Sequence, residues 1–180
     1  MLLRLLLATL FLILGGCSSL NVQTDYNPGY DFSKLKRFAV IYPKNEAITL
    51  TQERIAKAVT DEMASKGFVE TDKAHADFYI VFHLDVTTRK QVVTDYQAVG
   101  LYPYYYGYRT PIVMVPVERE YTYEEAKIII DALDPHGNNI FWRGVATDRL
   151  HSFKTPNERM KYIREVVKEV MKSFPPKKRH

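Results

Sequence analysis

The stretch "YTYEEAKIIIDALDPHGNNIFWRGVATDRL", residues 121–150, carries the pattern from which the fold is read. Ala126, Ile128, Ile130 and Ala132 alternate with more polar neighbours, and so do Ile140, Trp142, Gly144 and Ala146. A period of two belongs to strands with one buried face. Between the runs, "DPHGNN" at residues 134–139 concentrates turn formers, so the stretch predicts a β-hairpin. In that hairpin Asp131 falls on the outer face, opposite in parity to Ile130. Arg143 can meet it across the strands, a contact worth about 0.2–1 kcal/mol. Trp142 has inward parity and reads as core.

Outward from the hairpin the same logic continues. Phe78, Ile80, Phe82, Leu84 and Val86 share one strand face, and Tyr79, Val81, His83, Asp85 and Thr87 share a wetter one. "RFAVIY", residues 37–42, predicts a short strand stopped by Pro43. Thr49 with Gln52 predicts a capping box, Ile55, Val59 and Met63 a helical stripe, and Gly67 a left-handed cap. Phe68-Val69 then opens another strand or a turn. Thr155-Pro156-Asn157-Glu158 opens a second helix, whose stripe is Met160, Ile163, Val167, Val170 and Phe174 and whose stop is Pro175-Pro176. The expected fold is an α+β two-layer sandwich, a mainly antiparallel sheet with two amphipathic helices on one face.

The first residues follow different rules. Arg4, an apolar run over residues 5–14 and two glycines precede Cys17, which is the layout of a secretory signal. The run is shorter than the roughly 20 residues that a spanning helix needs. Leu14-Gly15-Gly16-Cys17 resembles the lipobox of bacterial lipoproteins. That resemblance implies cleavage before Cys17, a thioether from its sulfur to diacylglycerol, and acylation of the new amino terminus, with palmitate as the marker. Two or three acyl chains make attachment to a membrane effectively permanent. Ser18, in place of the aspartate that retains lipoproteins at the inner membrane, implies the periplasmic face of the outer membrane. With one cysteine in the chain, no internal disulfide is available.

The expected organisation is a signal peptide at 1–16, a lipidated tether at 17–24, a single α+β domain at 25–177 and a basic tail at 178–180. An aromatic-rich insertion at about 95–111 interrupts the domain. The chain from Cys17 onward carries 24 basic against 21 acidic side chains, a balance of +3 with histidines neutral. That excess is modest, and nucleic acid is excluded as a partner for a secreted lipoprotein.

Four fragments occur in a shared order: "DYNPGYDFSKLKRFAV" (25–40), "ADFYIVFH" (76–83), "IIIDALDPHGNNIFWRGVA" (128–146) and "SFPPK" (173–177). The ordered set resembles the envelope-lipoprotein family defined by the domain of unknown function DUF4136. The resemblance implies a cell-envelope lipoprotein and supplies no activity and no catalytic residues.

Enzyme motifs point nowhere: GxSxG, HExxH, P-loop and GxGxxG patterns are missing from the sequence. No catalytic residue, cofactor or metal is expected. His83 and Asp85 share a face at ligand-like spacing, but zinc takes three or four ligands. Asp131, Asp134 and Asp148 are the candidate carboxylates, and nothing near them in sequence argues for the tuned pair that acid/base work needs. The remaining candidate is the run "DYQAVGLYPYYYGYRTP", residues 95–111, with Tyr102, Tyr104, Tyr105, Tyr106 and Tyr108. Flat rings bearing hydroxyls suit sugars, protein partners or lipid headgroups, although Gly100, Pro103 and Gly107 also suit a plain loose insertion. The expectation is a noncatalytic, lipid-anchored module that binds an unknown envelope protein or glycan. An envelope hydrolase with an unrecognised carboxylate site and a structural subunit of an envelope assembly are the alternatives.

Overall fold

The computed structural model describes residues 20–42, 48–99, 113–136 and 139–177. Six strands and two α-helices follow in the order β1 (Asn21–Tyr26), β2 (Arg37–Ile41), α1 (Leu50–Ser65), β3 (Val69–Glu70), β4 (Phe78–Val99), β5 (Val113–Leu133), β6 (Ile140–Arg149) and α2 (Pro156–Met171). All strands join one open sheet in the order β1-β6-β5-β4-β2-β3. Neighbours from β1 to β4 are antiparallel, while β2 runs parallel to both β4 and β3. The fold is mixed α+β.

Both helices start where the sequence places them. Thr49 Oγ1 accepts from Gln52 N while the Gln52 side chain accepts from Thr49 N, at 3.2 and 2.7 Å, and Gly67 adopts φ +87°. Thr155 Oγ1 accepts from Glu158 N at 3.2 Å, with Pro156 in the first turn. Ile55, Val59 and Met63 of α1 and Ile163, Val167 and Val170 of α2 join Phe38, Phe78, Ile80, Phe82, Ile130 and Trp142 in one buried cluster. Gly144 makes the closest approach possible. A Cβ built there would lie 2.5 Å from both Trp142 Cη2 and Val170 Cγ1, so α2 and the indole occupy the space a side chain would need.

The start of β2 is tied to the start of β4 by one carboxylate. Asp77 accepts from Lys36 N, Arg37 N and Arg37 Nη2 at 3.1, 2.9 and 2.9 Å. The Arg37 side chain first, then the backbone donors, hold its carboxyl below the usual carboxylate range. Because the folded value is the depressed one, this contribution is complete above the ordinary carboxylate range and disappears as pH falls through the folded value. We expect the urea midpoint to fall as pH drops below the ordinary carboxylate range, and to fall less steeply in Asp77→Asn, in paired denaturation series.

Four features depart from expectation. First, a register irregularity between Ala132 and Leu133 pairs Leu133 with Ile140 and Ala132 with Trp142, leaving Phe141 as the extra residue. The bulge puts Phe141 in the core, stacked on Tyr30 at 3.9 Å, and leaves Ile140 46 % exposed instead of buried. Second, Val86 is 51 % exposed despite its inward parity, because β4 has there run past the packed body. Third, β1 occupies residues 21–26 and pairs with β6 from Asn21↔Thr147 to Tyr26↔Trp142, so the segment read as a tether contributes an edge strand. Fourth, β5 begins at Val113 rather than near Tyr121, and β4 continues to Val99, so both flanks of the expected insertion are strand. Twelve register pairs, from Thr88↔Glu124 to Val99↔Val113, lie beyond the end of β6 at Arg149. They form a two-stranded ribbon roughly 40 Å long at about 3.3 Å per residue.

Candidate functional site

Cys17 and Tyr102, Tyr104, Tyr105, Tyr106 and Tyr108 lie outside the described residues. The candidate carboxylates fall within them, and the fold sends each to a different place.

Asp131 and Arg143 face each other across β5 and β6 as the hairpin register predicts. The contact is bidentate, with Arg143 Nε and Nη2 each donating at 2.7 Å to separate oxygens of Asp131. The Asp131 side chain is only 4 % exposed while that of Arg143 is 47 % exposed. The pair is therefore not the simple surface contact that outward parity suggests: the carboxylate is covered, and its hydrogen bonds hold the guanidinium above its ordinary value. Around it, Ile41, Val81, Ile129 and Val145 are partly exposed on the same sheet face, so this face is less wet than the alternation implies.

Asp148 sits near the end of β6 with the inward parity of Ala146 and is buried. Its Oδ2 accepts from Tyr162 of α2 at 2.7 Å and lies 3.2 Å from His151 Nε2, and its Oδ1 accepts from Arg149 N at 2.8 Å. The His151 and Tyr162 rings meet edge-on at 5.0 Å. Burial first, then the hydrogen bond and charge of Asp148, push the Tyr162 hydroxyl well above the ordinary phenol range. A phenol so held stays protonated and donates, so the cluster fastens β6 to α2. Tyr162→Phe removes a hydrogen bond to a charged group while Asp148 keeps its other partners, and we expect a loss of about 1.5 kcal/mol in urea denaturation. Sequence reading weighs Asp148 without His151 or Tyr162. The available signal is parity, since a carboxylate continuing the inward face beyond Ala146 requires polar partners from whatever packs there.

Asp134 behaves as the turn residue expected of it, accepting from His136 N at 2.8 Å. It borders an open cavity of about 610 Å³ at the end of the sheet opposite the ribbon, with Asp31, Lys34, Arg37, His75 and Asp77. Charges there are matched locally, Lys34 with Asp31 at 3.5 Å and Arg37 with Asp77 at 2.9 Å. His83 and Asp85 are both exposed on the outer face, and no group of three or more potential metal ligands occurs among the described residues.

No curated protein sequence matches the chain significantly. Among solved structures, a PDZ domain protein from Parabacteroides distasonis superposes with a TM-score of 0.55 at 16 % identity, covering 96 % of this chain and 40 % of that one. The chain thus spans about two fifths of that protein, and the likeness is one of fold. PelC from Paraburkholderia phytofirmans, solved as a dodecamer, gives 0.48 at 9 % identity over 88 % of this chain and 99 % of that one. A minor lipoprotein from Acinetobacter baumannii gives 0.36 at 13 % identity, with 77 % and 88 % covered. The decisive match is of sequence pattern: the family model for the domain of unknown function DUF4136 spans residues 22–176, and the chain belongs to that family.

Proposed function

We propose that this protein is a lipid-anchored component of the cell envelope, held through acylated Cys17 at the periplasmic face of the outer membrane, and that it binds another envelope component, protein or glycan, without catalysing a reaction. In this reading both helices cover one face of the sheet in a two-layer arrangement, and the opposite face is available for docking. The observation that carries the noncatalytic part is the engagement of the covered carboxylates. Asp131 is spent on Arg143, and Asp148 on Tyr162, His151 and Arg149 N. Each ties two pieces of the fold together, and neither pairs with the other as a glycosidase's carboxylates do. Among the described residues no helix is long and apolar enough to cross a membrane; the anchoring part rests on the lipobox-like stretch before Cys17.

The test has two arms. Radiolabelled palmitate supplied to cells should mark the wild-type protein and not Cys17→Ser. Crosslinking in membranes should then capture a partner whose yield falls in Ile129→Asp on the sheet face, or when Tyr104, Tyr105 and Tyr106 are all changed to Ser, with the thermal midpoint nearly unchanged in the latter. Hydrolysis of cell-wall material by the purified protein, abolished by Asp131→Asn or Asp148→Asn, would replace the binding reading with an enzymatic one.

A further inference from the structure

The β4–β5 ribbon changes character along its length. Its proximal half carries charges that are matched across the strands: Arg89 with Glu125 at 3.1 Å, Lys90 with Glu120 at 2.7 Å and Arg119 with Asp95 at 3.6 Å. Beyond Asp95 and before Glu118 the described strand residues carry no charge, and Arg109 between them lies outside the described residues. The nine residues 96–99 and 113–117 are Tyr, Gln, Ala, Val, Val, Met, Val, Pro and Val, with no ionisable group except the phenol of Tyr96. Tyr96 is 65 %, Met114 56 % and Val113 55 % exposed. By register Tyr96, Ala98, Met114 and Pro116 belong to one face and Gln97, Val113, Val115 and Val117 to the other. Apolar side chains thus occupy both faces of a ribbon that has no third strand to cover it among the described residues. An isolated two-stranded hairpin is marginal in water, and exposed apolar surface of this kind marks a contact.

The route of the chain says what the contact is. Asn21 opens β1 beside Thr147, which is level with Lys127 and Asp85, so the chain enters the sheet at the end from which the ribbon departs. From Cys17 to Asn21 the backbone spans at most roughly 14 Å. The uncharged arm begins at Tyr96, eleven registers past Asp85, or roughly 36 Å further out. With Cys17 held at the lipid headgroups, a ribbon pointing into the bilayer would carry that arm more than about 15 Å deep, past the middle of the hydrocarbon. Its two strand edges would then leave backbone groups unpaired in lipid, which the bilayer does not tolerate. A ribbon pointing straight away from the bilayer would drive the body of the sheet into it instead. The short tether leaves one orientation: ribbon and sheet lie along the membrane.

We propose that residues 96–98 and 113–117 form a second membrane contact, resting in the headgroup and upper acyl layer beside the anchor while the charged proximal half stays in water. Shallow burial covers the aliphatic side chains, keeps the open strand edges within reach of water and headgroups, and sets the Tyr96 hydroxyl at the depth that tyrosine favours. The inference rests on the anchoring reading, and the test separates the two.

Full-length Val115→Cys and Glu120→Cys proteins, each carrying one new thiol, are labelled with an environment-sensitive fluorophore in vesicles of phosphatidylethanolamine and phosphatidylglycerol. The expected result is blue-shifted emission at position 115, quenched more by nitroxide near the headgroup than by nitroxide deep in the chains, with water-like emission at position 120. Water-like emission at 115 would overturn the inference, and so would efficient disulfide-linked dimers through 115, which would assign the arm to a second copy of the chain. Wild-type protein is the control for the anchor. Dye reacting with its single thiol would sink the anchoring reading, whereas unlabelled wild type with a water-like 115 would sink the membrane contact alone.

Discussion

Trp142→Ala is expected to lower the unfolding free energy by about 3–5 kcal/mol, the range for deleting a large aromatic from a core. The indole is 1 % exposed and meets Phe174 edge-on at 5.1 Å. Its six-membered ring lies over Gly144, which has no side chain to move into the gap, and against Val170 of α2. The cavity would therefore persist rather than close, which places the expected value in the upper part of that range. Trp142→Phe tests the cause. The indole N–H finds no acceptor among the described residues, so tryptophan carries a desolvation cost there that phenylalanine avoids. The Phe variant should lose well under half of what the Ala variant loses. Far-ultraviolet circular dichroism in urea is the measurement, because Trp142 is the only tryptophan and cannot report on its own replacement.

The legibility of Trp142 shows where sequence reading succeeds. Helix caps and strand parity are local, and Thr49, Gln52, Thr155 and the alternation from Phe78 to Phe82 fix their elements without reference to distant residues. Register follows where a turn is short, which is why Asp131 and Arg143 can be matched in advance. What fails is what depends on the end of packing. Parity places Val86 and Ile140 in the core, but parity cannot tell where a strand outruns the body that buries it or where a bulge shifts the faces. β1 is hidden for a related reason: "NVQTDY" pairs at a sheet edge with little side-chain burial, so its stabilisation is mostly backbone pairing that leaves no hydrophobic pattern. The ribbon is hidden because Pro116 and the charged residues 118–120 argue against a long strand, although a ribbon with two open edges accommodates both.

The same distinction bears on the candidate site. A tyrosine-rich stretch reads as a binding loop when nothing is known of its flanks. Its flanks, up to Val99 and from Val113, are paired strands, a context that the letters of the stretch do not carry. The covered carboxylates move the other way. Asp131 and Asp148 are isolated letters in the sequence, and the fold places Arg143 and Tyr162 beside them as hydrogen-bond partners.

The second large effect follows from the asymmetry of the Asp131–Arg143 pair. Arg143→Met should cost about 3 kcal/mol, the low end of the range for stripping a partner from a buried ion pair. It leaves a carboxylate that is 4 % exposed with its principal cation gone, and a covered charge has little water to replace it. Asp131→Val should cost much less, about 1 kcal/mol or under, by the same reasoning. The guanidinium it leaves behind is 47 % exposed, and Asp25 lies opposite Arg143 in the β1 register, so the charge can turn toward water or toward that neighbour. The double variant Asp131→Val with Arg143→Met should lie within about 1 kcal/mol of wild type, because a valine and a methionine beside Ile129 and Val145 need no counter-charge. Three urea denaturation curves decide the matter. Equal losses in the two single variants would mean that Asp131 is hydrated after all, and additive losses in the double variant would mean that the two side chains contribute independently rather than as a pair.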